Sequence, residues 1–191
     1  MMRAIQSFAR DTYGAPLWSA VTRRAGLDVA EFEAMLSYPD QTGEAVLQAL
    51  SAELDRPRSV VLEDIGTYLV SDPNVERLRR LLRFAGVSYE DFLHSLSDLP
   101  GRASLAVSDL VLPRLDLRSL PGSRYILTVE GDLPGFGHVM TGILRAMADD
   151  YGALVMLDHR GVREGREEIE ITLVESAFAE GRQFDLGARA R

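Results

Sequence analysis

The side chains able to carry out chemistry are few and widely spaced in this sequence. Its three histidines are His94, His138 and His159, and none lies within a helical turn of another. Because imidazoles that share a metal on one helix need about one turn of spacing, the sequence predicts no local metal site. No cysteine is present, which excludes thiolate-bound zinc, iron–sulfur clusters and thiol nucleophiles. No lysine is present either, which excludes Schiff-base and Walker-type chemistry.

The remaining motifs do not indicate an enzyme. The chain lacks G-x-S-x-G, and the glycines of the GDLPGFG stretch do not form a phosphate-binding loop. Two carboxylate pairs, Asp149-Asp150 and Glu167-Glu168, are adjacent in sequence, which points their side chains in different directions. We therefore expect these pairs to lie on solvated faces. A non-enzymatic protein is predicted.

The histidines have modest expected roles. His138 stands near the start of a predicted helix, where we expect it to be satisfied at the helix end or half exposed, with a pocket-facing imidazole as the sharper alternative. His94 lies off the leucine stripe of its helix and is expected on the surface. His159 precedes Gly161 and is expected in a turn at the end of a strand.

Length and charge limit the class of protein. The 191 residues suffice for one domain with a core, and the formal net charge of −8 is the wrong sign for a nucleic-acid surface. No apolar run approaches the ~20 residues of a membrane helix, and the first thirteen residues are amphipathic rather than a continuous apolar segment. We expect a cytoplasmic protein that binds neither nucleic acid nor membrane.

Hydrophobic periodicity divides the chain into two parts. Helical spacing dominates residues 1–100, and a helix is also predicted between Gly135 and Tyr151. Ser88 is expected to cap one helix, and Pro100-Gly101 to interrupt the regular pattern. Alternation predicts a hairpin around Pro121-Gly122 and two later strands. The prediction is one α+β domain over residues 1–181, with a helical half (1–100), a sheet-bearing half (101–181) and a tail (182–191).

The order of these landmarks resembles one family, the heme-nitric oxide/oxygen binding (H-NOX) domain, which is also the sensor domain of soluble guanylate cyclases. The similarity extends over nearly the whole chain. It is carried by Tyr13-Gly14, Trp18, Ala25-Gly26, Tyr38-Pro39-Asp40, Ile65-Gly66-x-Tyr68, Leu81-Leu82, Gly86, Phe92-Leu93-x-x-Leu96-x-x-Leu99, Pro113 and Gly142-Ile143-Leu144. The resemblance implies an N-terminal helical subdomain packed on a C-terminal antiparallel sheet that carries one or two helices, with a large apolar cavity between them.

The heme-binding residues that the resemblance implies are largely missing. The family's proximal histidine corresponds to Pro100, which offers no ligand to iron and is expected to break or kink the helix. The Tyr-x-Ser-x-Arg motif that pairs the heme propionates corresponds to Val129, Gly131 and Leu133. A proline is retained at Pro113, and His138 falls about where some members place a distal tyrosine. We therefore expect no heme in the usual mode.

Three hypotheses follow for the function. The first is a degenerate H-NOX-like sensor or adaptor that binds another apolar ligand or a tetrapyrrole, or serves as an interaction scaffold. Its partner in trans would be a histidine kinase or a cyclic-dinucleotide enzyme, by family analogy. Within this hypothesis, heme could still bind through His138, with Arg114 or Arg124 meeting the propionates.

The second hypothesis is catalysis on a small substrate in the cavity, for which two convergent titratable side chains would be the discriminating observation. The third is a cavity filled by the chain's own side chains, which leaves an outer face as the functional part. The expected filling residues are Phe8, Phe92, Phe136, Met140 and Met147.

Overall fold

The computed structural model describes residues 2–27, 31–33, 36, 38–84, 86–106 and 112–182. The helices that it contains are α1 (Met2–Tyr13), α2 (Ala15–Arg24), α3 (Asp40–Leu54), α4 (Arg58–Ser71), α5 (Glu76–Arg83), α6 (Tyr89–His94), α7 (Leu99–Ala106) and α8 (Phe136–Tyr151). Short 3₁₀ turns lie at Pro73–Val75 and Leu96–Asp98. The strands are β1 (Arg114–Leu120), β2 (Arg124–Glu130), β3 (Leu154–Arg163) and β4 (Arg166–Glu175). The predicted α+β class is confirmed, and no described helix is long and apolar enough to cross a membrane.

Local sequence signals fix several helix ends. Ser88 caps α6 as predicted: its hydroxyl accepts the N–H of Asp91, and the Asp91 carboxylate accepts the N–H of Ser88. This hydrogen bonding lowers the pKa of Asp91. Helix α8 ends at Gly152, whose φ of 74° suits the left-handed position after a helix.

The four strands form one antiparallel sheet in the order β1-β2-β4-β3. Alternate residues of β2 and β4 face the helices and are buried, among them Leu127, Val129, Ile169 and Ile171. Strand β3 lies at one edge, and its register with β4 shifts between His159 and Val162. The sheet thereby presents one apolar face to the helical layer.

Helices α4 and α8 cross with their backbones in close contact. A Cβ added at Gly142 would lie 2.0 Å from the carbonyl oxygen of Glu63, and one added at Gly66 would lie 2.1 Å from that of Val139. Only glycine permits this separation of the two backbones. The crossing fixes the N-terminal part of α8 against α4, beside the groove that forms the candidate site.

One local expectation needs correction. The helical pattern breaks before Pro100, at the 3₁₀ turn Leu96–Asp98, and α7 then runs through Pro100 because a proline is tolerated in the first helical turn. After β4, the N–H of Arg182 donates to the Asp150 carbonyl at 3.0 Å, which attaches the chain at that point to the end of α8.

Candidate functional site

A groove lies where α4 and α8 begin beside strands β3 and β4. It opens to solvent and has a volume of about 330 Å³. Its walls combine charged, aromatic and apolar groups from all four elements and from the segment before α8. The lining residues are Arg58, Ser59, Leu62, Pro134, Gly135, His138, His159, Gly161, Val162 and Glu167.

Two histidines distant in sequence are stacked in this groove. The rings of His138 and His159 have centroids 3.9 Å apart and an interplanar angle of 17°. Nδ1 of His138 lies 3.4 Å from Oε1 of Glu63, and Arg145 donates to the other oxygen of that carboxylate at 3.0 Å. His138 is therefore held between α4 and β3, half-buried, on the side of α8 that faces the groove.

Glu167 anchors the other side of the stack. Its carboxylate accepts the N–H groups of Gly135 at 2.9 Å and of Gly137 at 3.2 Å, which places a negative charge at the N-terminus of α8. The same carboxylate lies 2.9 Å from Nε2 of His159. A Cβ at Gly137 would stand 2.6 Å from the side-chain ends of both Glu167 and His159, so any larger residue here would displace them.

The hydrogen bonds of His159 define its tautomer. The N–H of Gly161 donates to Nδ1 at 3.2 Å, so that nitrogen must carry a lone pair. The ring proton consequently lies on Nε2 and is donated to Glu167. Both ring nitrogens of His159 are therefore engaged in this arrangement.

The chemistry available to this site is limited. Among the described residues, Nε2 of His138 has no hydrogen-bond partner and could exchange a proton with a ligand or solvent. Ser59 lines the same groove, but no hydrogen bond joins it to His138 within the described part of the chain. No group of three or more His, Asp or Glu side chains in the described residues could hold a metal ion.

A second open groove, of about 500 Å³, runs along α1. It is lined by Arg3, Gln6, Ser7, Arg10, Asp11, Glu31, Phe32 and Glu33. Arg10 pairs with Glu31 at 2.9 Å, and the amide oxygen of Gln6 accepts the N–H of Phe32 at 2.7 Å. Arg10 and Gln6 therefore already have partners across the groove.

Sequence reasoning placed some of these residues wrongly. His159 lies inside β3, opposite Ile169, rather than in a turn. Glu167 and Asp150 were expected on solvated faces but are buried, since Glu167 caps α8 and Asp150 receives two hydrogen bonds from Arg79 at 2.6 and 2.9 Å. His94 is exposed, as predicted.

Of the positions implied by the resemblance to H-NOX domains, His138 is part of the stack and Val129 pairs with Glu167 in the sheet. Pro113 is buried, and a Cβ on Gly131 would lie 3.1 Å from it. Val129 is buried in β2, Leu133 packs against the core, and Pro100 is half-buried at the start of α7. Of the two proposed propionate partners, Arg124 pairs with Glu170 at 2.6 Å and Arg114 is exposed at the start of β1.

The space between the helices and the sheet contains the chain's own side chains. All five expected filling residues are buried in one hydrophobic cluster, with Met147 at 0% and Met140 at 1% exposure. Tyr89 is also fully buried there, where its hydroxyl donates to the Leu144 carbonyl at 3.2 Å and burial raises its pKa well above the usual range.

None of the described histidines points into this interior, because His94 is exposed and the other two face the groove. The described residues therefore do not fit a heme held between an axial imidazole and the Tyr-x-Ser-x-Arg motif.

Comparison with known proteins identifies the family. A family model described as Haem-NO-binding (HNOB) matches residues 1–159, and no curated protein sequence matches. Among solved structures, an H-NOX protein from S. oneidensis in the Fe(II) ligation state, a triple mutant, has a TM-score of 0.74 at 15% identity, with 92% of this chain and 95% of that chain covered. An unliganded Fe(II) H-NOX mutant from K. algicida has a TM-score of 0.74 at 13% identity, with 91% and 95% covered.

A third solved structure, an oxygen-binding H-NOX domain related to soluble guanylate cyclases, has a TM-score of 0.65 at 12% identity, with 94% of this chain and 96% of that chain covered. At these low identities, the structural similarity establishes the fold alone. The family model covers most of the chain. The chain belongs to the Haem-NO-binding family, whose fold it shares.

Proposed function

We propose that this chain is a non-enzymatic regulatory module of the Haem-NO-binding family that acts on a signalling partner in trans through its outer surface. The observation that carries the proposal is the interior, where Met140, Met147 and Phe92 are buried and no described imidazole enters. A close-packed core has no space for a heme unless buried side chains move. Its regulatory contacts must then lie outside the core.

The proposal includes the absence of heme in the family's usual mode. The solved structures named above include Fe(II) and oxygen-bound proteins. In this chain Pro100 supplies no donor atom and Val129 supplies no hydroxyl. A buried propionate without an arginine partner would be costly, which argues against the same binding mode here.

A heme sensor that uses His138 is the principal alternative. The carboxylate of Glu63 beside Nδ1 is the kind of partner that orients a metal-binding imidazole. However, the ring faces the open groove and stacks on His159, so such a heme would have to bind outside the packed interior. An apolar ligand within the interior would likewise have to displace buried side chains.

Catalysis in the groove is the second alternative, because two titratable side chains do converge there at 2.9 Å. Those two groups, His159 and Glu167, are however fully engaged with one another and with backbone N–H groups. A single available nitrogen on His138, with no nucleophile bonded to it, does not complete an acid–base or triad arrangement. We therefore propose binding rather than catalysis.

The partner is proposed from the family resemblance as a histidine kinase or a cyclic-dinucleotide enzyme.

The measurement that bears on the heme part of the proposal is titration of the purified chain with hemin, followed by gel filtration and absorption spectroscopy. The H-NOX protein from S. oneidensis serves as the positive control. Mass spectrometry of the denatured chain would detect any other small molecule that it carried.

We expect less than about one tenth of the chain to retain hemin, and we expect the same result for a Pro100→His variant, because a ligand alone does not open a packed core. Stoichiometric heme that is lost in His138→Ala would establish the heme-sensor alternative instead. A recovered apolar molecule at one per chain would show that the interior is a ligand cavity and would overturn the proposal.

A further inference from the structure

We propose that the His138–His159 stack is an acid-operated latch that holds β3 against the N-terminus of α8 and releases it when both rings are protonated. This inference goes beyond the proposed function, since it assigns an input to the groove whatever partner the chain regulates. It rests on the geometry of four side chains from four elements: Glu63 of α4, His138 of α8, His159 of β3 and Glu167 of β4.

The first proton is accommodated without rearrangement. His138 can take it on Nε2, which faces the groove, while Nδ1 keeps its contact with Glu63. The charged groups around the stack are Arg58 and Glu63 from α4, Arg145 from α8 and Glu167 from β4. Glu63 then lies between the protonated His138 ring and the Arg145 guanidinium, and the stack pairs a charged His138 ring with a neutral His159 ring.

The second proton cannot be accommodated in the same geometry. It would have to bind Nδ1 of His159, where it would oppose the N–H that Gly161 directs at that nitrogen. It would also place a second positive charge 3.9 Å from the first, face to face. Both effects push the His159 ring out of the stack.

Departure of His159 changes the attachment of β3 more than that of β4. Glu167 keeps its bonds to the N–H groups of Gly135 and Gly137, so β4 still caps α8. Strand β3 loses the side chain that joins it to Glu167 and the bond that holds the Gly161 bulge. The groove between β3 and α8 would thus widen at acidic pH.

Amide hydrogen exchange followed by NMR tests the latch, with each rate corrected for its intrinsic pH dependence. We expect protection at Gly161 to fall about tenfold or more between pH 7 and pH 5, because local opening is read directly by exchange. His138→Gln removes one of the two charges and should abolish this fall. His94→Gln, which changes an exposed histidine of α6, should leave the fall intact.

A second measurement keeps the inference testable if a groove variant does not fold. In the unmodified protein, the ¹⁵N chemical shifts of the His159 ring should report the Nε2–H tautomer at pH 7. Binding of a proton to Nδ1 of His159 at lower pH should coincide with loss of protection at the Gly161 amide. Unchanged protection down to pH 5, an Nδ1–H tautomer at pH 7, or a full loss of protection in folded His138→Gln would each overturn the latch.

Discussion

Replacing Met147 with alanine probes whether the interior is filled by the chain itself. The side chain of Met147 is 0% exposed. Removing its three outer heavy atoms forfeits about 0.8 kcal/mol of transfer free energy for each, about 2.4 kcal/mol together. The cavity left behind adds to this loss, and buried Met→Ala changes cost about 2–5 kcal/mol overall. For a chain of this size, such a loss lowers Tm by about 4–20 °C.

Urea unfolding followed by circular dichroism and by the fluorescence of Trp18 measures this loss. The matched control is Met156→Ala, because Met156 lies on β3 and is 67% exposed. We expect the control to change the free energy of unfolding by no more than about 0.5 kcal/mol. Both variants should keep the m-value of the parent chain if they unfold to the same ensemble.

Equal costs for the two methionines would refute the packed-interior account. Such a result would mean that Met147 borders a space already empty, as in a ligand cavity. With a large cost, the variant should acquire a dry apolar cavity that binds benzene or xenon, while the parent chain does not.

Two further changes test the packing and the buried phenols. Gly142→Ala should destabilise the protein by about 3 kcal/mol or more in thermal unfolding, because the added Cβ would lie 2.0 Å from the Glu63 carbonyl oxygen. The control Gly101→Ala, whose Cβ would have nothing within 4 Å, should be neutral or stabilising. Similar effects of the two substitutions would contradict the helix crossing. Burial and the hydrogen bond to Glu90 raise the pKa of Tyr125 to about 12, so its contribution to stability is complete below about pH 10 and is lost as the pH rises toward 12. The urea midpoint should therefore fall less steeply between pH 10 and pH 12 in Tyr125→Phe than in the parent, and identical slopes would refute that assignment.

Much of the fold followed from local signals. The alternation around Pro121-Gly122 predicted the hairpin of β1 and β2, the Ser88 cap predicted the start of α6, and helical spacing between Gly135 and Tyr151 predicted α8. These signals are local because hydrogen bonding and burial within one element depend on neighbours in sequence. The expectation of a broken helix at Pro100 was wrong because proline breaks a helix interior but is tolerated in a first turn. Where α7 starts depends on the preceding 3₁₀ turn, which the local signal at Pro100 does not reveal.

The groove was not predictable in the same way. The stack of His138 on His159 depends on the docking of α8 over β3, which no spacing within either element specifies. A signal for Glu167 did exist, because it shares the inward alternation of β4 with Ile169 and Ile171. Asp150 likewise falls one helical turn after Met147, on the buried side of α8. For both residues, adjacency to another carboxylate suggested exposure to solvent. The position of each residue on the buried face of its helix or strand was the better indicator.

The methyl signals of the methionines offer the most direct measurement of the central claim that side chains fill the interior. With ¹³C-methyl methionine, the signals of Met140 and Met147 should be protected from a soluble paramagnetic probe, while that of Met156 is broadened. One equivalent of hemin should leave the two protected signals in place. Broadening of Met140 and Met147 by hemin, or by the soluble probe alone, would contradict the account, because it would place a cofactor or solvent where the structure places side chains.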